Sequence, residues 1–116
     1  MHELSIASSL IETAANHVPE GNTLQGVHIT VGDLSGICAE SLDFCFSIVA
    51  REKGHPSARL IITPIPARFH CRMCLKDYEA ASVYHTCPFC ESLERDILEG
   101  DRFTIDAIDV EEINHV

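Results

Sequence analysis

Two short cysteine pairs constrain this chain more than any other feature. Cys71 and Cys74 bound the stretch CRMC, Cys87 and Cys90 bound CPFC, and twelve residues lie between the pairs. A tetrahedral ion with metal–sulfur bonds of ~2.3 Å needs four soft donors converging on one point. One CxxC knuckle presents two donors from a tight turn, and two knuckles on a short hairpin present four. The separation is slightly shorter than in some zinc ribbons, but the pattern is close. Six cysteines in 116 residues would read as disulfides in a small secreted protein. Here the N-terminus has no basic stretch followed by a long apolar one, so a secretory signal is not expected. Structural zinc held by Cys71, Cys74, Cys87 and Cys90 is therefore the reading, with a redox dithiol as the alternative. A catalytic zinc would keep a position open for water, and four cysteines leave none.

Pro88 stiffens the second knuckle. Arg72 and Lys76 lie near the first, where they offset a zinc tetrathiolate, formally a dianion. A lobe of this size is expected to have little core of its own, so the ion supplies its folding energy. His70 and His85 flank the knuckles. They read either as surface residues or as nitrogen donors that replace a thiolate when pH falls.

Outside this stretch the chain is periodic. Residues 4–18, LSIASSLIETAANHV, place Ile6, Ala7, Leu10, Ile11, Ala14 and Val18 at helical spacing, and Pro19 and Gly21 end the helix. Residues 24–32 alternate as a strand, with Val27, Ile29 and Val31 on one face and His28 and Thr30 on the other. A second helix is expected over 38–53, through Leu42, Cys45, Phe46, Val49 and Ala50. Residues 58–65 read as a second strand, limited to an edge or an end by Pro64. Residues 101–110 read as a third. Cys38 and Cys45 are seven residues apart, on one helix face, and read as small buried hydrophobes.

The expected fold is thus α/β: a small body of two helices packed on a three-stranded sheet, with an inserted zinc-ribbon-like lobe built on the four cysteines. The body comprises residues 1–66 and 96–116, and the lobe residues 67–95. No apolar run approaches membrane-spanning length, so a soluble cytoplasmic protein is expected. The net charge is −10, and residues 68–95 are formally neutral, so the body carries all of it. That opposes nucleic-acid binding, which needs clustered Lys and Arg. There is no G-x-x-x-x-G-K-[ST] loop and no nucleophile–base pair, so the chain is not read as an enzyme.

The first three residues, Met1, His2 and Glu3, open a second question. A terminal amine, with a reference pKa of roughly 7.7–8.0, is easily displaced to a metal. The bulk of His2 is expected to leave Met1 in place. Amine, His2 amidate and His2 imidazole can close fused chelate rings in one plane, with Glu3 as a fourth ligand through its amidate or carboxylate. Square-planar nitrogen sets suit Ni(II) or Cu(II) rather than zinc. On chemistry alone, a surface histidine is the better account of His2.

The combination is more specific than its parts. MHELSIASSLIE at the start, VGDLSGICAESLDFCF at 31–46, and two CxxC pairs before a C-terminal strand resemble the HypA/HybF family, nickel metallochaperones of [NiFe]-hydrogenase maturation. The resemblance covers nearly the whole chain. It implies Ni(II) bound transiently by Met1, His2 and Glu3, and structural Zn(II) on the four cysteines. It also implies a HypB-type GTPase partner and delivery to the hydrogenase large-subunit precursor, with urease maturation proteins as further partners in some relatives. Cys38 stands where the family often has an acidic residue. The alternative is a structural zinc-ribbon adaptor with no nickel role.

Overall fold

Residues 2–80 and 85–112 are described here, from a computed structural model, with the side chain of His2 left aside. Helix α1 runs His2–Ala15 and helix α2 runs Ala39–Glu52. Between and after them come strands β1 (Asn22–Gly32), β2 (Arg59–Ile65), β3 (Ala67–Cys71), β4 (Asp77–Ala80), β5 (Arg95–Glu99) and β6 (Phe103–Glu112). The strands form two three-stranded sheets, ordered β2-β1-β6 and β4-β3-β5. The chain divides into two compact units. One takes residues 1–29, 37–63 and 105–116, the other residues 30–36 and 64–104.

The first unit holds both helices. Ala7, Leu10, Ile11 and Ala14 of α1 are buried, as are Leu42, Phe46, Val49 and Ala50 of α2 and Leu24, Val27 and Ile29 of β1. The 3.6-residue period of the helices and the two-residue period of the strand thus converge on one apolar layer. Burial of a side chain such as Phe46 or Leu10 contributes about 1.5–3 kcal/mol. Lys53, which caps α2, places Nζ 2.9 Å from Glu12 Oε2 of α1. The carboxylate is largely exposed, so this pair adds at most about 1 kcal/mol. On the other face of β1, His28 Nε2 lies 2.7 Å from Asp109 Oδ2 of β6.

Helix α1 starts two residues earlier than its apolar pattern suggests and stops sooner. Apolar spacing cannot locate the first turn, because that turn needs no buried face. Beyond Ala15 the chain tightens, His17 N–H bonding to Ala14 O and Val18 N–H to Ala15 O, before Pro19 removes the next donor.

The second unit contains three strands that no sequence period announced. It also has a core of its own, contrary to expectation: Ala67, Phe69, Cys71, Tyr78 and Cys87 are buried together, with Leu34, Cys74 and Ala80 against them. In β3 the alternation is complete, with Ala67, Phe69 and Cys71 facing in. Register pairs Phe69 with Tyr78 across β4, ring centroids 5.5 Å apart, and Arg95 of β5 stacks its guanidinium 4.3 Å from the Phe69 ring centre. Two glycines close this unit. Gly32 N–H bonds to Arg102 O and Leu34 N–H to Gly100 O, so tightly that a Cβ on Gly32 would clash with Gly100 O. The partner is backbone and cannot swing aside. Gly36, unlike Gly32, has positive φ, and it opens onto empty space. Gly32→Ala should therefore cost about 3 kcal/mol or more, and Gly36→Ala only about 1–2 kcal/mol. Denaturant melts of the two variants check the order.

Candidate metal centre

The two knuckles are near-copies in backbone detail. Cys71 N–H bonds to Lys76 O and Leu75 N–H to Cys71 O; Cys87 N–H bonds to Ser92 O and Glu91 N–H to Cys87 O. Each turn closes through a residue of positive φ directly after its second cysteine, Leu75 at 66° and Glu91 at 63°. Neither is glycine, so each carries the steric cost of that conformation. The first knuckle joins β3 to β4. The second is tied to the first by Arg72 N–H bonding to Glu94 O.

This backbone brings all four Sγ atoms within 4.8 Å of one another. Cys71 and Cys90 are 3.5 Å apart and Cys74 and Cys87 3.7 Å. A tetrahedron with Zn–S bonds of ~2.3 Å has S···S edges of ~3.8 Å, whereas a disulfide needs ~2.05 Å. The donor set fits a zinc ion and does not describe disulfides. Among the described residues, no other group of three or more His, Cys, Asp or Glu donors comes this close together.

The protons are distributed unevenly over the four thiols. The first cysteine of each knuckle is buried, and burial raises a thiol pKa. At Cys71, however, the Cys74 backbone N–H outweighs burial and lowers the thiol to about 6. At Cys87 burial is the largest single effect, but the N–H groups of Phe89 and Cys90, helped by neighbouring thiols, together lower it. Cys90 is drawn down by the Ser92 N–H, yet Cys71, burial and the other thiols push it up to about 12. At Cys74 the Lys76 N–H likewise loses to burial and the facing thiols, and the pKa is raised. The cluster thus keeps thiols at Cys74 and Cys90 until a cation arrives.

The flanking histidines are placed by the sheet. His70 Nδ1 lies 2.7 Å from Asp77 Oδ1, its register partner across β3 and β4. The carbonyl of the exposed His85 accepts a hydrogen bond from Arg95. Cys38 is not the buried hydrophobe expected from its spacing to Cys45. It is the N-cap of α2, exposed, because the capping residue precedes the first helical turn. The Ser41 hydroxyl, then the Ser41 backbone N–H, hold its thiol below the ordinary value. Cys45 is half-buried. Of the N-terminal triplet, Met1 and the His2 side chain lie outside the described residues, while the His2 backbone and Glu3 stand in the first turn of α1. The first four N–H groups of a helix have no acceptor within it, and that of His2 is among them.

A family profile described as "Hydrogenase/urease nickel incorporation, metallochaperone, hypA" matches residues 1–110. The chain belongs to the HypA family. The hydrogenase maturation factor HypA of Geotalea uraniireducens (strain Rf4) is 32% identical over 96% of this chain and 100% of its own length. That of Chlorobaculum parvum is 34% identical over the same shares. The solution structure of the Ni metallochaperone HypA from Helicobacter pylori shares the fold, with a TM-score of 0.58 at 21% identity, covering 92% of this chain and 95% of that one. A second HypA solution structure reaches a TM-score of 0.64 at 20% identity and 98% of both chains. HypA membership agrees with the expected α/β body and four-cysteine lobe. No helix among the described residues is long and apolar enough to cross a membrane.

Because Cys74 and Cys90 hold their protons at neutral pH and must lose them to bind as thiolates, zinc loading near pH 7 should release at least two protons. Affinity should rise with pH. Calorimetry in buffers of different ionisation enthalpy measures the release; loading without proton release would contradict this protonation pattern.

Proposed function

We propose that this chain binds Ni(II) at its amino terminus and delivers it to a [NiFe]-hydrogenase large-subunit precursor, working with a HypB-type GTPase. Met1 supplies the amine, His2 the amidate and imidazole, and Glu3 the fourth donor. The observation that carries this reading is the family match, which begins at residue 1 and runs through both cysteine pairs. The placement of the His2 backbone in the first helical turn supports it, because an N–H there has no acceptor within the helix. Nickel is cargo here, not a resident cofactor. The four-cysteine cluster would hold zinc and fix the fold of its lobe, residues 67–95, while residues 1–66 and 96–116 carry the nickel end.

Two properties follow from a site built on a terminus. All its ligands lie within three consecutive residues, so the ion can be transferred by opening one short segment, without unfolding a core. The chain then transfers a metal rather than turning over a substrate, and any nucleotide hydrolysis belongs to the partner.

Titration of tag-free protein with Ni(II) should give the d–d bands of a planar nitrogen set. The bands should vanish in His2→Ala and when residues are added before Met1, because the amine is then an amide. Bands that persist in both variants would remove the site. A zinc adaptor without a nickel role predicts instead that His2→Ala leaves hydrogenase maturation unchanged in cells.

A further inference from the structure

Helix α2 turns two large apolar side chains to solvent. Phe44 is 68% exposed and Ile48 42%. Four residues apart, they lie on one face, opposite the buried Leu42, Phe46, Val49 and Ala50. Arg51 continues the same line one turn on. Two open grooves border this ridge and share Ser47. The larger, of about 960 Å³, includes Glu3, Cys38 and Phe44; the smaller, of about 280 Å³, includes Ile48, Arg51 and Glu52. The rim is acidic: Glu40, Asp43 and Glu52 are exposed beside the ridge, against one guanidinium, that of Arg51.

We propose that the outer face of α2 docks an amphipathic helix of a partner protein, one that presents Lys or Arg beside large apolar residues. A ridge at i, i+4 spacing between two grooves is the surface into which a second helix packs. An exposed aromatic on that ridge, Phe44, has the character of an interface anchor. The acidic rim sets the sign of the partner and speeds its approach. A second copy fits poorly, because each copy brings net −10 and an excess of carboxylates to the contact. Nucleic acid and anionic lipid are repelled by the same rim. Glu3 lines the larger groove, so a helix seated on α2 stands beside one of the proposed nickel ligands. The inference rests on the delivery reading for why a partner comes there.

The test is an NMR titration of the full-length, zinc-loaded, ¹⁵N-labelled chain with a synthetic Leu/Lys amphipathic helical peptide. Amide shifts are expected to cluster on α2 between Glu40 and Glu52, and a Leu/Glu peptide of the same pattern should produce none. Phe44→Ala with Ile48→Ala should weaken binding about tenfold or more with the circular dichroism unchanged. Glu40→Gln with Asp43→Asn, which keeps the ridge, should weaken it severalfold. Shifts spread over the whole acidic surface, or parental affinity in the ridge variant, would overturn the proposal. So would a sedimenting dimer that the ridge variant breaks. The nickel spectrum of the same samples is read separately: its loss in His2→Ala without change in the peptide shifts keeps failure of the delivery reading distinct from failure of the docking face.

Discussion

Four sulfurs gathered within 4.8 Å of one another cannot all carry charge unless a cation sits among them, and the second unit is organised around that fact. Each knuckle aims backbone N–H groups at its sulfurs, and with the neighbouring thiols these lower Cys71 and Cys87 against their burial. The other two thiols then keep their protons. A divalent ion resolves the conflict by replacing those protons. The ion does not fold the lobe alone, because Phe69, Tyr78 and Ala67 pack behind the buried cysteines. Metal and core act on the same residues, since Cys71 and Cys87 belong to both.

The four-cysteine cluster and the proposed N-terminal nickel site call on opposite coordination chemistry. Four thiolates in a closed tetrahedron suit zinc and hold it. An amine, an amide and an imidazole in a row suit a planar ion, and a terminus can open to release it. Softness of the donors and rigidity of the frame separate a resident metal from a transported one. The chain needs no further chemistry for such a role.

Legibility in the sequence followed apolar periodicity. Both helices and strands β1, β2 and β6 were readable because each carries a run of apolar residues at its own period, as at Leu10, Ile11 and Ala14 or at Val27 and Ile29. The four zinc ligands were readable from spacing alone. Strands β3, β4 and β5 were not. In β3 the inward positions are Ala, Phe and Cys, and cysteines already assigned to a metal do not register as a strand face. In β4 only Tyr78 is buried, and in β5 the two apolar residues, Ile97 and Leu98, are adjacent rather than alternating, so neither leaves a pattern. Cys38 was misread because heptad spacing to Cys45 holds only if both lie inside the helix, and Cys38 caps it. The N-terminal triplet was ambiguous for a different reason: a chelate made by consecutive residues has no period at all, and only the family match from residue 1 onward raises it above a surface histidine.

The central claim is that two metals partition between two donor sets. X-ray absorption at both edges, on protein loaded with zinc and then with nickel, tests it most directly. The zinc edge should show four sulfurs at about 2.3 Å and no lighter donor, and the nickel edge a planar shell of nitrogen and oxygen without sulfur. Sulfur around the nickel, or nitrogen and oxygen replacing sulfur around the zinc, would contradict the partition.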